Sequence, residues 1–469
     1  MLELEPEHPF EAPQGSFLGH VNIVMFTYVA DGALSFASGV LVARALHADG
    51  RGAFSLFIIS AAILQMVLGI GFGNAALYFI NKRELALREI MSAAHVVSIG
   101  SFIITAALVA GIAPWAGDRV LGDNVSPWLL IAAVPVIVYA AALRILLQAL
   151  SRFVAMGVAT IVQPVVMLAL VIADYAFGDP SPSRMVVFWI VSNGAAAFVS
   201  LSLLGVANID LSQIVRPRWF VLNKLARFGV QGETGNILQL MNYRLDQYLI
   251  RGFVSLAGVG IYAVSVSMTE AVWMIANAVA IVLQPRLTSA ADDEVRWMAP
   301  VAARNTIFIA TCAAAALAVV APILLPTVFG DGYDGVVPAI WFLLPGTVAL
   351  TGSKVLTSYI FSQGRPLVNT MITMVSLVVT LVALIALVPP FGVNGAAAAS
   401  SIAYAAHFAA ALYAYRRISG QSVLEAIVPR PSDARLYTDA LRDVIARISR
   451  RPPDSPVATT PAKPSGRSG

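Results

Sequence analysis

The chain has 469 residues, of which 58% are hydrophobic and only 12% charged. Soluble domains carry about 25% charged residues, so this composition excludes one. Apolar runs of about 20 residues recur along nearly the whole length, the pattern of an all-α polytopic membrane protein. The ten-residue alternation of an outer-membrane barrel is absent. A net charge of +4 says little in total, and no nucleic-acid partner is expected. The single Cys312 rules out an internal disulfide and offers no metal site. No cofactor is expected.

In chain order, the acidic stretch 1–19 comes first, with Glu3, Glu5, Glu7 and Glu11 and neither Lys nor Arg in its first 17 residues. That is the reverse of a signal-peptide n-region, so no cleaved leader is expected. Twelve spans follow, at 20–43, 54–80, 92–114, 127–149, 155–177, 185–206, 228–251, 258–284, 302–325, 337–360, 367–389 and 394–416. They form two six-helix halves, 20–206 and 228–417, joined by a connecting segment at 207–227. That segment contains Arg216-Pro-Arg-Trp219-Phe and is expected to lie along the inner interface.

Even-numbered connections carry Lys82, Arg83, Arg88, Arg152, Arg216, Arg218, Lys224, Arg227, Arg286, Arg296 and Arg365, and Arg416 and Arg417 follow the last span. Odd-numbered connections carry Arg44, Arg51, Arg119, Arg184 and Arg251, and the last two carry none. The positive-inside rule then puts both termini in the cytoplasm. Alanine-rich spans with far more Arg than Lys point to a bacterial source, hence to the cytoplasmic (inner) membrane. No soluble domain fits between spans.

Residues 418–450 are basic. Ser432 caps a helix to about Arg450 with Tyr437, Leu441, Val444, Ile445 and Ile448 on one face, suited to anionic lipids of the inner leaflet. A solvated basic helix is the plainer alternative. The Pro/Ser-rich stretch 451–469 is expected to be disordered.

The halves look duplicated. Gly50-Arg-Gly52-Ala-Phe54 matches Gly258-Val-Gly260-Ile-Tyr262, each between an outward and an inward span. Arg144 in span 4 corresponds to Lys354 in span 10 at nearly the same offset, with Arg152 and Arg365 in the turns that follow. Six crossings per half preserve orientation, so the repeat axis runs along the membrane normal.

Span 7 is polar over most of its circumference. Glu233, Asn236, Arg244 and Gln247 fall within about 80° on a helical wheel, and Gln239, Asn242 and Asp246 within about 60° of one another. On span 8, Glu270, Asn277 and Gln284 recur every seven residues. Ionised groups at membrane depth cost about 2.5–3.5 kcal/mol each, so they face protein or water. One reading is a hydrated central cavity lined by these residues and by Asp31 of span 1. The other is structural pairing between helices, such as Arg244 with Glu233 or Glu270. Arg144 and Lys354 lie in the inner third of inward-running helices, one per half, and two cations so placed suit a pyrophosphate. Snorkelling to the inner interface is their alternative role. Gly69-Ile-Gly71-Phe-Gly73 lies inside span 2 and reads as close packing or a flexible segment, not a nucleotide loop. His20, His95 and His407 have no metal spacing.

Between Tyr243 and Leu287 the pattern becomes specific: R-L-D-Q-x-L-I, a Gly-x-Gly-I-Y turn, E-x-x-W-x-I-x-N-A, then Q-P-R. This stretch resembles the middle of the polysaccharide flippases of the multidrug/oligosaccharidyl-lipid/polysaccharide exporter superfamily. The resemblance implies a MATE-like fold of about twelve helices around a central cavity. It also implies a flippase that moves a polyprenyl-pyrophosphate-linked oligosaccharide from the cytoplasmic to the external leaflet by alternating access, with the polyprenyl tail left in lipid. Its partners would be the glycan lipid and the glycan polymerase and export machinery. Substrate contact is then expected at Arg144, Lys354, Arg244, Asn236, Gln239, Asn242, Asn277 and Gln284, and ion or proton coupling at Asp31, Asp246 or Glu270. A multidrug antiporter of the same superfamily is the alternative, though its cavity should lean acidic and aromatic. An integral-membrane glycan polymerase needs a catalytic loop, which connections this short do not supply.

Overall fold

The computed structural model describes residues 17–433, apart from 123, 206–217, 290–291 and 331. The amphipathic helix read at 432–450 and the tail at 451–469 lie outside the described residues, as does most of the connecting segment. Residues 1–427 form one compact unit and 428–469 a second. Of the second unit only residues 428–433 are described, with the Arg430 amide donating to Asp433 Oδ2 at 2.9 Å.

The first unit is all helix. In order come α1 (Phe17–Leu68), α2 (Phe72–Asn81), α3 (Leu87–Leu121), α4 (Leu129–Ala149), α5 (Phe153–Phe177) and α6 (Pro182–Leu203). Then follow α7 (Trp219–Phe253), α8 (Leu256–Ser289), α9 (Asp292–Phe329), α10 (Val336–Ser362), α11 (Pro366–Ser419) and the short α12 (Val423–Ile427). Among the described residues nine helices are long and apolar enough to cross a membrane. Two of them, α1 and α11, hold a non-helical residue, at His47 and Gly392, that divides each into two crossing-length segments. With the polar α7, which is too hydrophilic to stand among the nine, they give the twelve segments read from hydropathy. The protein is a multi-pass integral membrane protein. Lipid-facing side chains are large and apolar, as at Phe177, Ile323, Leu367 and Phe198.

Three local departures from the sequence expectation matter. Spans 1 and 2 are joined at His47 (φ 53°, ψ −174°) and not by a loop, so Arg51 stands on a helix one turn past the bend. Span 2 is itself interrupted: Ile70 and Gly71 take φ of 50° and 61°, ending α1 and starting α2. Residues 219–227 are already helical and continuous with span 7. They dock on the first half, where Lys224 pairs with Glu84 at 2.8 Å and lies 4.7 Å over the Phe79 ring.

The two Gly-x-Gly turns of the repeat meet each other. A Cβ on Gly52 would stand 2.1 Å from the Leu256 carbonyl oxygen, and one on Gly260 would stand 1.9 Å from that of Ala48. The backbones of α1 and α8 therefore touch without intervening side chains, which only glycine permits. Beside this contact Arg44 donates from Nε and Nη2 to the Val328 and Thr327 carbonyls, both at 2.5 Å, closing the C-terminus of α9. A second close approach joins Gly71 to Gly229 on α7.

Core packing distinguishes the two ends of the bundle. At the end carrying Gly52 and Gly260, one large core combines both halves: Phe54, Phe57, Leu130 and Met185 with Tyr262, Leu343, Leu384 and Val388. At the opposite end, which carries the basic connections, the halves hold separate cores. Ile90, Leu143, Leu146 and Leu147 centre one, together with Val221 and Leu225 of α7. Leu287, Leu356, Ile360 and Tyr415 centre the other. The halves share a core at one end and keep separate cores at the basic end, where the start of α7 still bridges to the first half.

Replacing Gly52 or Gly260 by Ala forces backbone apart and should destabilise the unit by about 1–3 kcal/mol, the range for overpacking. Thermal unfolding in detergent should show it, whereas Gly111→Ala, where a Cβ meets nothing within 4 Å, should leave the midpoint near wild type.

Candidate functional site

The site is organised by α7, whose polar residues divide between two faces. Gln239, Asn242 and Asp246 point into protein, toward α11. Asn242 donates to Ser376 Oγ at 3.1 Å and accepts from Thr380 at 2.6 Å. Gln239 accepts from Thr373 at 3.1 Å, and its own amide nitrogen is buried without a partner. Asp246, 1% exposed, accepts from the Tyr262 hydroxyl at 2.5 Å, from Ser400 at 3.3 Å and from the Gln247 amide at 2.8 Å. Burying a carboxylate is tolerable when its lone pairs are filled this way. This ladder ties α7 to α8 and to both segments of α11.

The other stripe lines open space. Arg244 and Gln247 face a cavity of about 270 Å³ between α1, α7 and α8, shared with Arg51, Ser55 and Glu270. Arg244 donates to Glu270 Oε1 at 2.9 Å, both side chains 28% exposed, and Gln247 accepts from Ser55 at 2.7 Å. Toward the basic end, Glu233 and Asn236 line a smaller cavity of about 190 Å³ beside the break between α1 and α2. There Asn74 of α2 donates to Glu233 at 3.1 Å and Asn236 at 3.4 Å. Between α1 and α8 runs a third cavity, of about 540 Å³. It is mostly apolar, with Phe36, Val40, Val264 and Met268 in its wall and Arg51 and Glu270 at its edge.

The cations of the repeat have different surroundings. Lys354 on α10 donates to Asn277 Oδ1 at 2.9 Å and sits 3.5 Å over the Trp273 ring and 5.9 Å over Tyr243. Desolvated, such a cation–aromatic contact contributes about 2 kcal/mol. The Tyr243 ring in turn lies tilted against Trp273 and edge-to-face with Tyr404, at centroid distances of 5.8 and 5.9 Å. Lys354 is also within electrostatic reach of Glu270. Arg144 on α4 is half-buried, within electrostatic reach of Asp31 and Tyr28 on α1, and forms no ion pair within 4 Å among the described residues. The structure thus keeps Arg144 with Asp31 and groups Lys354 with Asn277, Glu270 and Arg244. It shows no contact between the two cations. The side chain of Gln284 lies outside the described residues.

Two features escaped the sequence reading. Arg51, expected in an external connection, stands on α1 and lines the cavity. The Trp273–Tyr243 platform under Lys354 comes from two helices, and only the E-x-x-W spacing after the Gly-x-Gly turn hinted that Trp273 shares a face with Glu270 and Asn277. His407 and His95 are taken up locally, by Ser353 at 2.5 Å and by Tyr139 at 2.9 Å. Among the described residues no cluster of His, Cys, Asp or Glu could hold a metal ion.

If the Arg244–Glu270 pair is coupled as this geometry implies, R244Q and E270Q should each lower the unfolding midpoint, because each strands a charge in the cavity. The double variant should recover part of the loss, with a coupling of about 0.5–3 kcal/mol in a thermal-denaturation cycle.

Comparison with solved structures places the fold. A lipid II flippase, MurJ, in an inward closed conformation aligns with a TM-score of 0.68 at 12% identity, covering 92% of this chain and 94% of that one. An inward-facing multidrug resistance MATE family transporter of the MOP superfamily aligns at 0.61 and 15% identity, over 83% and 95% of the two chains. A MOP superfamily transporter from Pyrococcus furiosus, described as having a binding pocket of reversed polarity, aligns at 0.52 and 14% identity, over 86% and 95%. At such identities the likeness establishes the fold, that of the MOP superfamily. No curated protein matches the chain. The sequence profile of the family described as polysaccharide biosynthesis protein matches residues 41–338, well over half of the chain, and the protein belongs to that family.

Proposed function

We propose that the protein is a flippase for a polyprenyl-pyrophosphate-linked oligosaccharide, a repeat unit of an exported polysaccharide. The observation that carries this reading is the adjacency of a cavity bearing several charged and amide groups and a larger, mostly apolar one. A polar chamber with guanidinium, carboxylate and amide groups lies against an apolar groove between α1 and α8, and Arg51 and Glu270 belong to both. A glycan lipid has the same division. Its sugars and pyrophosphate seek water and donors, and its hydrocarbon chain seeks lipid. Membership of a polysaccharide biosynthesis family supports the choice of cargo, and MurJ, which shares the fold, is a lipid II flippase.

The packing supports a reading by alternating access. With the basic end cytoplasmic by the positive-inside rule, the halves share a core outside and keep separate cores inside, an arrangement suited to accept cargo from the cytoplasm. Arg144, with donors to spare, and Lys354, on its aromatic platform, stand one in each half near that opening to take the pyrophosphate. Asn236, Asn277 and Arg244 face the route inward. Gln239 and Asn242 support it from behind by fixing α7. Of the candidate coupling groups, Glu270 shares the chamber with two cations and Asp31 answers to Arg144, so either carries a charge change directly to a phosphate-binding cation. Asp246 acts by holding helices.

The reading is tested with purified protein in proteoliposomes containing a polyprenyl-pyrophosphate oligosaccharide, with a lipophilic cationic dye in parallel. Protein-dependent exposure of the glycan without dye movement is expected. Gradient-driven dye movement with the glycan left in place would instead make this a drug antiporter. Replacing both Arg144 and Lys354 by Gln should reduce flipping by about 100-fold or more, since each lost charged hydrogen bond costs about 1.5–3 kcal/mol, while the folded protein still inserts. Near-normal flipping by that variant would remove the capture role.

A further inference from the structure

The chamber contains more positive charge than its own carboxylates answer. Arg244 and Arg51 both line it, and Glu270 is the one carboxylate among its described lining residues. Glu270 is engaged by Arg244 at 2.9 Å. Asp246 is on the far face of α7, its oxygens filled by Tyr262, Ser400 and the Gln247 amide. Arg51 has no ion pair within 4 Å among the described residues. Its Nε is buried with no hydrogen-bond partner, and its guanidinium carbon lies 5.6 Å over Phe54. The hydroxyl of nearby Tyr333 donates elsewhere, to the Ala43 carbonyl at 2.9 Å. A snorkelling arginine keeps its head in water, but Arg51 has its Nε buried and its side chain in the wall of both the polar chamber and the apolar groove. A guanidinium left unanswered at such a place is costly, and an anion that enters with its own apolar chain removes the cost.

We propose that Arg51 is an anion-binding residue that holds the pyrophosphate of a polyprenyl-linked ligand at the mouth of the α1–α8 groove, at the opposite end of the route from Arg144 and Lys354. This rests on the flippase reading for the identity of the lipid. Planar guanidinium donors match phosphate oxygens in pairs. The apolar walls at Phe36, Val40, Val264 and Met268 accept the first isoprene units. Arg51 is thus the station at which the pyrophosphate stands before the lipid leaves to the outer leaflet.

The test uses the full-length protein in detergent and measures binding of farnesyl pyrophosphate, farnesol and inorganic pyrophosphate by calorimetry. R51Q should weaken farnesyl pyrophosphate by about tenfold or more, as expected for loss of a charged contact in a desolvated site, and R51K by less. Farnesol binding should not change, and the ligand-free unfolding midpoint of R51Q should not fall, since the substitution removes an unanswered buried charge. Gly39→Leu, which projects into the groove where a Cβ meets nothing within 4 Å, should weaken farnesyl pyrophosphate but not inorganic pyrophosphate. It also keeps the test decisive if R51Q does not fold. Equal affinity of wild type and R51Q for farnesyl pyrophosphate, no binding by wild type, or inorganic pyrophosphate bound as tightly as the lipid would each overturn the proposal. Arg51-dependent binding by a protein that flips no glycan lipid would keep the anion site and remove the flippase reading. Wild-type flipping by R51Q would do the reverse.

Discussion

Everything in this fold depends on how α7 satisfies its polar side chains inside a membrane. A crossing helix in hydrocarbon has no water to answer an unpaired donor or carboxylate, so each such group must find protein or a wet cavity. The chain solves this by turning one stripe of α7 into a ladder with Thr373, Ser376, Thr380 and Ser400 of α11. The other stripe, Glu233, Asn236, Arg244 and Gln247, is given to cavities. The ladder fixes the rotation of the helix, and that rotation presents Arg244 to the chamber. Structural and functional readings of these residues are two faces of one helix.

The glycines decide where the two halves touch backbone to backbone. Backbone contact at Gly52 and Gly260 is a seam with no side chains to interdigitate, and it lies within the core common to both halves. The Gly71–Gly229 contact lies toward the basic end, next to a break in the helix where Ile70 and Gly71 leave the right-handed region. Smooth seams of this kind let packed bodies tilt against each other without unlocking side chains, as the proposed alternating access requires. The cavity arrangement fits the same picture. The charged chamber lies beside the common core, and Arg144 and Lys354 lie beyond it, toward the separated cores.

Much of this was legible in the sequence, for reasons that can be named. Hydropathy marks the segments other than span 7 because each is an apolar run of crossing length, and the 3.6-residue period separates the two polar stripes of α7. The duplicated Gly-x-Gly turns signalled a repeat because glycine is needed wherever two backbones touch, although nothing in the sequence said that the two turns touch each other. Arg51 was misplaced because a charge next to Gly-x-Gly looks like a loop residue. The bend at His47 uses a single residue and leaves no loop to hold it. The platform beneath Lys354 was invisible because Trp273 and Tyr243 reach it from separate helices. The run Gly69–Gly73 showed that something unusual happens in span 2, and a helix break and a close contact both follow from it.

The central claim is that one stripe of α7 borders water and the other is sealed in protein. It can be read directly by cysteine accessibility, since Cys312 can be removed to give a thiol-free background. Single cysteines at Asn236, Leu240 and Arg244 should react with a membrane-impermeant maleimide added from the cytoplasmic side. Cysteines at Gln239 and Asn242 should stay unlabelled until the protein is denatured. Equal labelling at both sets, or labelling of the second set alone, would mean that α7 is rotated from the position described and that the chamber is not where the substrate passes.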